Sequence, residues 1–223
     1  MYALILLSLV IISFPGFVLQ AANNDGRICA PFRGGVVDTA IVEKMLQADK
    51  EGRLFRIQPK NSRVGFCVNS VIGKIEAKFG DIQGGLALHK EIWGSGSQIL
   101  VMVDANSLTI NRNFLKDMLK GEHFLDTYTY PKILFVSTQL KWLNHKKAIL
   151  KGMLTMHGVT RPVDFDVTMT ILPNRSPQST AEVIVTASAF IKRTDFNMHS
   201  LSFLVNDTVE LCMRIEASLF KKQ

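Results

Sequence analysis

The chain is poor in the residues that build small metal or disulfide frameworks. Its 223 residues hold three cysteines, and no two of them stand in Cys-x-x-Cys spacing. That excludes a disulfide-dense scaffold and a structural zinc site. Five histidines, His89, His123, His145, His157 and His199, form no His-x-His or His-x-x-x-His pattern, so no metal is expected. Seven prolines and 15 glycines are scattered, which rules out collagen-like and linker-like chains. Gly-x-Ser-x-Gly is absent, and spacing picks out no nucleophilic set of serine, histidine and acid. The net charge of +7 comes from dispersed basic residues with no aromatic-interleaved run, so no nucleic-acid partner is expected. A solvated surface explains this charge most simply; transient contact with an anionic membrane surface is the functional alternative.

Residues 1–22 contain no charged side chain. Their apolar run breaks at Pro15-Gly16 and ends in Ala21-Ala22, small residues suited to a signal peptidase. We read a signal peptide that exports the chain; an uncleaved anchor facing the same compartment is the alternative. Residues 23–52 read as an extension with one short helix. Asp38 is placed to cap it, with Ile41, Val42, Met45 and Leu46 on one face.

From Leu54 the period changes to two. Val163, Phe165, Val167, Met169 and Ile171 alternate with polar residues, as do Val209, Leu211, Met213, Ile215 and Ala217. Such alternation means one buried and one wet face, the pattern of antiparallel sheet. Eight to ten strands at hairpin spacing predict an all-β barrel or sandwich over residues 53–221. One amphipathic helix, Arg112 to Lys120, interrupts them; Phe114, Leu115, Met118 and Leu119 share a face suited to covering a barrel end. Gly84, Ala148, Gly152, Ala181, Ala187, Ala189 and Ala217 fall on inward positions beside Phe66, Phe79, Phe135 and Phe165. Either small residues alternate with large ones to fill a taper, or they leave an apolar cavity.

Four separated blocks then resemble the YceI-like family of bacterial exported lipid-binding proteins. They are LFRIQPKNSRVGFCV from Leu54, the run from Ser107 to Thr138 with its FLD and YP segments, GMLTMHGVTRPVDFDV from Gly152, and IKRTDFNMHS from Ile191. Asn197 departs from the pattern, standing where the family has glycine, but asparagine tolerates left-handed backbone. The resemblance implies an eight-stranded antiparallel lipocalin-like barrel with a short N-terminal helix and one inserted helix. It implies a periplasmic protein without cofactor that holds an isoprenoid, a quinone-like chain or a similar lipid for transport, storage or sequestration. The alternative is an enzyme acting on such a lipid, which would require a titratable group inside the apolar tunnel. The inward residues contain almost none, so no catalytic residue is assigned.

The expected lipid-binding residues are Phe66, Phe79, Phe135, Gly152, Leu154, Phe165, Val167, Ala187, Ala189, Phe196 and Met213. Arg193 and His157 are expected at a polar mouth. For Arg193 the simpler expectation is an ion pair with Asp195 on the same side of a strand end, and for His157 a hydrogen bond that fixes its turn. Cys67 and Cys212 should both face outward. An exported chain favours a Cys29–Cys67 disulfide tying the extension to the barrel, with Cys67–Cys212 as the alternative. No residue pattern sets an oligomeric state.

Overall fold

The computed structural model describes residues 39–89, 96–110, 112, 114–172 and 181–220. Residues 1–22, expected as a signal peptide, lie outside these residues, as do Asp38 and Cys29. Helix α1 (Thr39–Lys50) precedes strands β1 (Leu54–Ile57), β2 (Arg63–Ser70), β3 (Gly73–Phe79), β4 (Ile82–Ala87), β5 (Gln98–Asp104) and β6 (Leu108–Ile110). Helix α2 (Phe114–Lys120) follows. Strands β7 (Lys132–Trp142), β8 (Lys147–Met156), β9 (Val159–Leu172), β10 (Glu182–Lys192) and β11 (Val205–Leu219) complete the sheet.

The eleven strands make eight antiparallel staves. β1 and β2 both pair with β11, at Phe55↔Leu219 and Val68↔Val209, so they are two halves of one broken stave. β3 and β4 pair with those same halves, and β5 and β6 continue the pattern. The pairing of β1 with β11 closes the barrel.

Side-chain hydroxyls span two of the breaks. A 3-10 turn opened by Pro59 separates β1 from β2, because proline presets the turn and offers no N–H to the ladder. There Ser62 Oγ accepts from Glu216 N at 3.0 Å and donates to Glu216 O at 3.3 Å. Between β5 and β6, Ser107 Oγ accepts from Gly80 N at 3.1 Å and Asp81 N at 3.0 Å, and donates to Asp104 O at 2.6 Å. Backbone groups that a broken ladder would strand are thus satisfied.

Below the breaks the barrel is full. Phe55, Ile57, Leu86, Ile99, Leu150, Met169, Val183, Val185, Ile215 and Ala217 pack there as part of one buried cluster. β4 and β5 depart from the expected single buried face. Met45 and Ala48 of α1 pack against Leu54, Ala87 and Leu100, burying the outer faces of these strands as well. The continuous apolar run Ile99 to Val103 carries that signal in the sequence, since double-faced burial removes the need for alternation. Helix α2 covers the upper end with Leu115 and Leu119. Phe114, expected on the covered face, is instead 72% exposed, because the helix begins only at that residue.

Gly84 is required where β4 crosses β5. Its φ is +142°, and a Cβ there would lie 2.1 Å from Leu100 O. Gly84→Ala is therefore expected to cost at least about 2 kcal/mol, as such backbone strain alone costs about 1–3 kcal/mol. A denaturant midpoint unchanged from the parent chain would contradict this packing.

Candidate functional site

Above the breaks, two apolar chambers lie end to end in the barrel, each with about 60 Å³ of free volume. The inner chamber is walled by Val64, Phe79, Val101, Val103, Ile133, Phe135, Leu154, Phe165 and Met213. Phe135 and Phe165 meet edge to face there at 5.1 Å and 81°. The outer chamber is walled by Val68, Ile75, Val205 and Val209 from strands, and by Met118, Leu119, Phe124 and Met198 from the cap. Phe66, Leu125, Met156 and Leu211 line both and form the constriction between them.

The expected binding residues divide between the chamber walls and buried positions beside them. Phe66, Phe79, Phe135, Leu154, Phe165 and Met213 line the chambers. Gly152, Val167, Ala187, Ala189 and Phe196 are buried but line neither chamber. Gly152 is small for a different reason than an open cavity. The Phe135 ring lies over it, and a Cβ would stand 2.4 Å from that ring. Sequence reasoning placed Met118 on the covering helix face without assigning it to the site, and missed Phe124, Leu125 and Met198, which sit on loops without strand period. Met156 and Leu211, by contrast, share the inward parity of Leu154 and Met213.

Arg193 does not pair with Asp195. The strand ends at Lys192 and residues 193–196 form a 3-10 turn, so the two side chains no longer share a side. Asp195 is exposed, whereas Arg193 is only 3% exposed. The guanidinium donates to the carbonyls of Asn206 at 3.2 Å, Ser200 at 2.8 Å, Val205 at 3.3 Å and Met198. It pins the loop from 198 to 206, and its donors are directed at that loop although the residue borders the outer chamber. Thr194 fixes the same corner, donating from N (3.0 Å) and Oγ1 (2.9 Å) to the Asp207 carboxylate. Burial pushes the Asp207 carboxyl upward, but the Thr194 hydrogen bonds and the nearby Arg193 and Lys192 charges outweigh it and hold the group below its usual value of 3.8. Asn197 ends the turn at φ +62°, as its tolerance of left-handed backbone allows.

His157 sits at the β8–β9 turn outside both chambers. Its Nδ1 is 2.9 Å from Phe196 O, and its ring stands edge to face with Tyr130 at 5.4 Å. The turn is thus joined to the cap. Among the described residues no group of His, Cys, Asp and Glu is arranged to hold a metal ion.

Cys67 and Cys212 are free, half-buried thiols, and Cys212 also borders the inner chamber. The register sets Cys67 opposite Glu210 and Cys212 opposite Gly65, so the two cysteines are diagonal and not facing. The Cys67–Cys212 alternative is not formed, and the Cys29–Cys67 pairing falls outside the described residues. Burial, then Glu210 and Cys67, push the Cys212 thiol upward in pKa, away from thiolate reactivity.

Comparison with known proteins places these features in a family. The YceI-like domain matches residues 55–217. A UPF0312 protein of Pseudomonas putida strain GB-1 is 35% identical over 124 residues, which cover 54% of this chain and 59% of that protein. A UPF0312 protein of Yersinia enterocolitica is 26% identical, covering 75% of this chain and 83% of the relative. Among solved structures, Burkholderia cenocepacia BcnA superposes with a TM-score of 0.64 at 20% identity, covering 72% of this chain and 98% of that one. A polyisoprenoid binding domain from Saccharophagus degradans gives 0.56 at 14% identity, covering 74% and 98%. These structural likenesses establish the shared barrel.

The cap geometry sets two expectations. Arg193→Met should cost at least about 2–3 kcal/mol by leaving several carbonyls without a donor, and proteolysis should then begin in the 198–206 loop. Because the folded pKa of Asp207 lies below its unfolded one, its contribution is full above the unfolded value and is lost as pH falls through the depressed one. Asp207→Asn should therefore lower the thermal midpoint at neutral pH and remove part of the decline between about pH 5 and pH 3. Parallel melting curves for variant and parent across that range would refute the assignment.

Proposed function

The chain belongs to the YceI-like domain family, and we propose that it holds a long apolar chain, an isoprenoid or a similar lipid, in the upper half of its barrel. One observation carries this reading: two contiguous chambers whose walls are apolar, bordered by a single charged residue whose donors are directed at backbone carbonyls. The polyisoprenoid binding domain from Saccharophagus degradans, which shares the fold, supports the choice of ligand class.

The walls suit such a cargo physically. Burial contributes about 0.8 kcal/mol per methylene, so a prenyl chain needs few polar contacts to bind tightly. Free volume of about 60 Å³ per chamber is narrow, and a long chain must part the constriction at Phe66, Leu125, Met156 and Leu211. Met118, Met156 and Met198 give the outer chamber unbranched, adaptable walls that can follow a ligand. An enzyme would need a titratable side chain free to act on the cargo, so binding is the better reading. With the leader at residues 1–22, we place the work in the periplasm, as carriage, storage or sequestration of the lipid.

Native mass spectrometry with organic extraction of the exported protein should recover a bound apolar chain. Leu211→Trp should plug the constriction and reduce that occupancy. Ala217→Trp, below the breaks beside Ile57, should instead overpack the packed half, costing about 1–3 kcal/mol with occupancy retained in the folded fraction. A protein recovered empty, and unable to take up prenylated quinones, would overturn the proposal.

A further inference from the structure

The upper end of the barrel carries consecutive large apolar residues on two exposed tips. Val71 and Ile72 turn the β2–β3 hairpin, and Phe203 and Leu204 lie in the loop before β11. Val71 is 69% exposed and Phe203 79%. The tips are fixed together: Val71 N donates to Leu204 O at 2.9 Å, and Ser70 Oγ donates to Gly73 O at 2.7 Å. Phe190, exposed on the wall, instead stands among polar residues on its face of the sheet, with Glu210 paired across from it and Ser188 and Lys192 two residues to either side, and is ordinary for a protein surface. Paired apolar residues on adjoining tips form a patch, and a patch marks a contact.

Both tips lead straight into the outer chamber, through Val68 and Ile75 on the hairpin and Val205 after the loop. Their charge is of one sign. Segments 69–74 and 197–204 contain no acidic residue. Lys74 follows the hairpin tip, and the Arg112 guanidinium lies 3.5 Å from where a Cβ on Gly73 would stand. The acidic residues that follow them in sequence are engaged, Glu76 with Lys74 at 3.7 Å and Asp207 with Thr194.

We propose that this end of the barrel seats on an anionic phospholipid bilayer. Val71, Ile72, Phe203 and Leu204 enter the headgroup layer, while Arg112 beside the hairpin tip faces its phosphates. Apolar side chains beside an arginine, on a chain of net charge +7, match that surface, where burial and attraction to anionic lipid act together. The seat rests on the lipid-binding reading for its purpose, since it would put the outer chamber against the hydrocarbon, but its residues are independent of any cargo.

Tryptophan placed at each position separates this seat from general stickiness. In the full chain, Phe203→Trp should gain quenching by brominated phospholipid over the parent, whereas Phe190→Trp on the wall should not. The quenching should need phosphatidylglycerol in phosphatidylcholine vesicles and weaken with added salt. The double variant Ile72→Asp/Phe203→Asp should lower vesicle sedimentation about tenfold or more. Equal quenching at 190 and 203, or none at 203, would overturn the proposal. So would burial of Trp at 203 by self-association without vesicles, which would make a second copy the occupant. Extraction of the same samples reads cargo separately: an empty barrel that still docks would support the seat while refuting carriage.

Discussion

The structure depends on carrying a β-ladder across a level where three neighbouring staves break. A regular barrel of eight staves is just wide enough for side chains to fill it. Here the breaks after β1, β3 and β5 let the upper halves diverge from the line of the lower ones. Two serine hydroxyls make this affordable in hydrogen bonds, Ser62 on β11 and Ser107 on the Gly80–Asp81 corner. Without them, the N–H groups of Glu216, Gly80 and Asp81 would lose their protein partners at the level where the core gives way to chambers. The same break that interrupts the sheet therefore permits the cavity.

The cap is held by a second economy of hydrogen bonds. One buried guanidinium serves the carbonyls of the 198–206 loop, which a chain without regular structure cannot satisfy internally. His157, edge to face with Tyr130, joins the β8–β9 turn to the 193–196 turn at Phe196, and Pro131 O accepts from Ala105 N at 2.8 Å to anchor the segment after α2. The conspicuous sequence blocks thus serve the break and the cap more than the cavity wall. Pro59 and Ser62 shape the break, while Tyr130, His157, Gly158, Arg193 and Phe196 assemble the cap. Gly158 in particular lets the Tyr130 ring approach to where a Cβ would stand 2.7 Å away.

Period-two alternation made the barrel and its inward phenylalanines legible, because a strand with one wet face must write its parity into the sequence. The same parity could not say where the interior is full. Gly152 and Ala187 carry equal promise of space on paper, yet one accommodates the Phe135 ring and the other, though paired with Met213 of the inner wall, lines neither chamber. Volume depends on what faces a residue across the barrel, which alternation does not encode. Arg193 and Asp195 misled for a related reason: a strand extended by one residue too many puts both on one side, and the 3-10 turn at Arg193 undoes that. The loop residues of the cap, Phe124, Leu125 and Met198, sit where no period announces burial, whereas the helical period set Met118 and Leu119 on the covering face.

A barrel that is full below and open above has uneven demands on its stability. Two chambers of about 60 Å³ forgo packing worth on the order of 3 kcal/mol, using a cavity cost of about 24 cal/mol per Å³. Net stabilities are about 5–15 kcal/mol, so the loss is tolerable only if the remainder is well packed. The lower half meets that need through double-faced burial: β4 and β5 pack inward on the barrel core and outward on α1. Helix α1 is thereby more than an appendage, because it stabilises the very staves whose upper continuations must part. An apolar chain filling the chambers would supply the contacts their walls now lack. Binding and folding would then draw on one interior, with cargo completing the core.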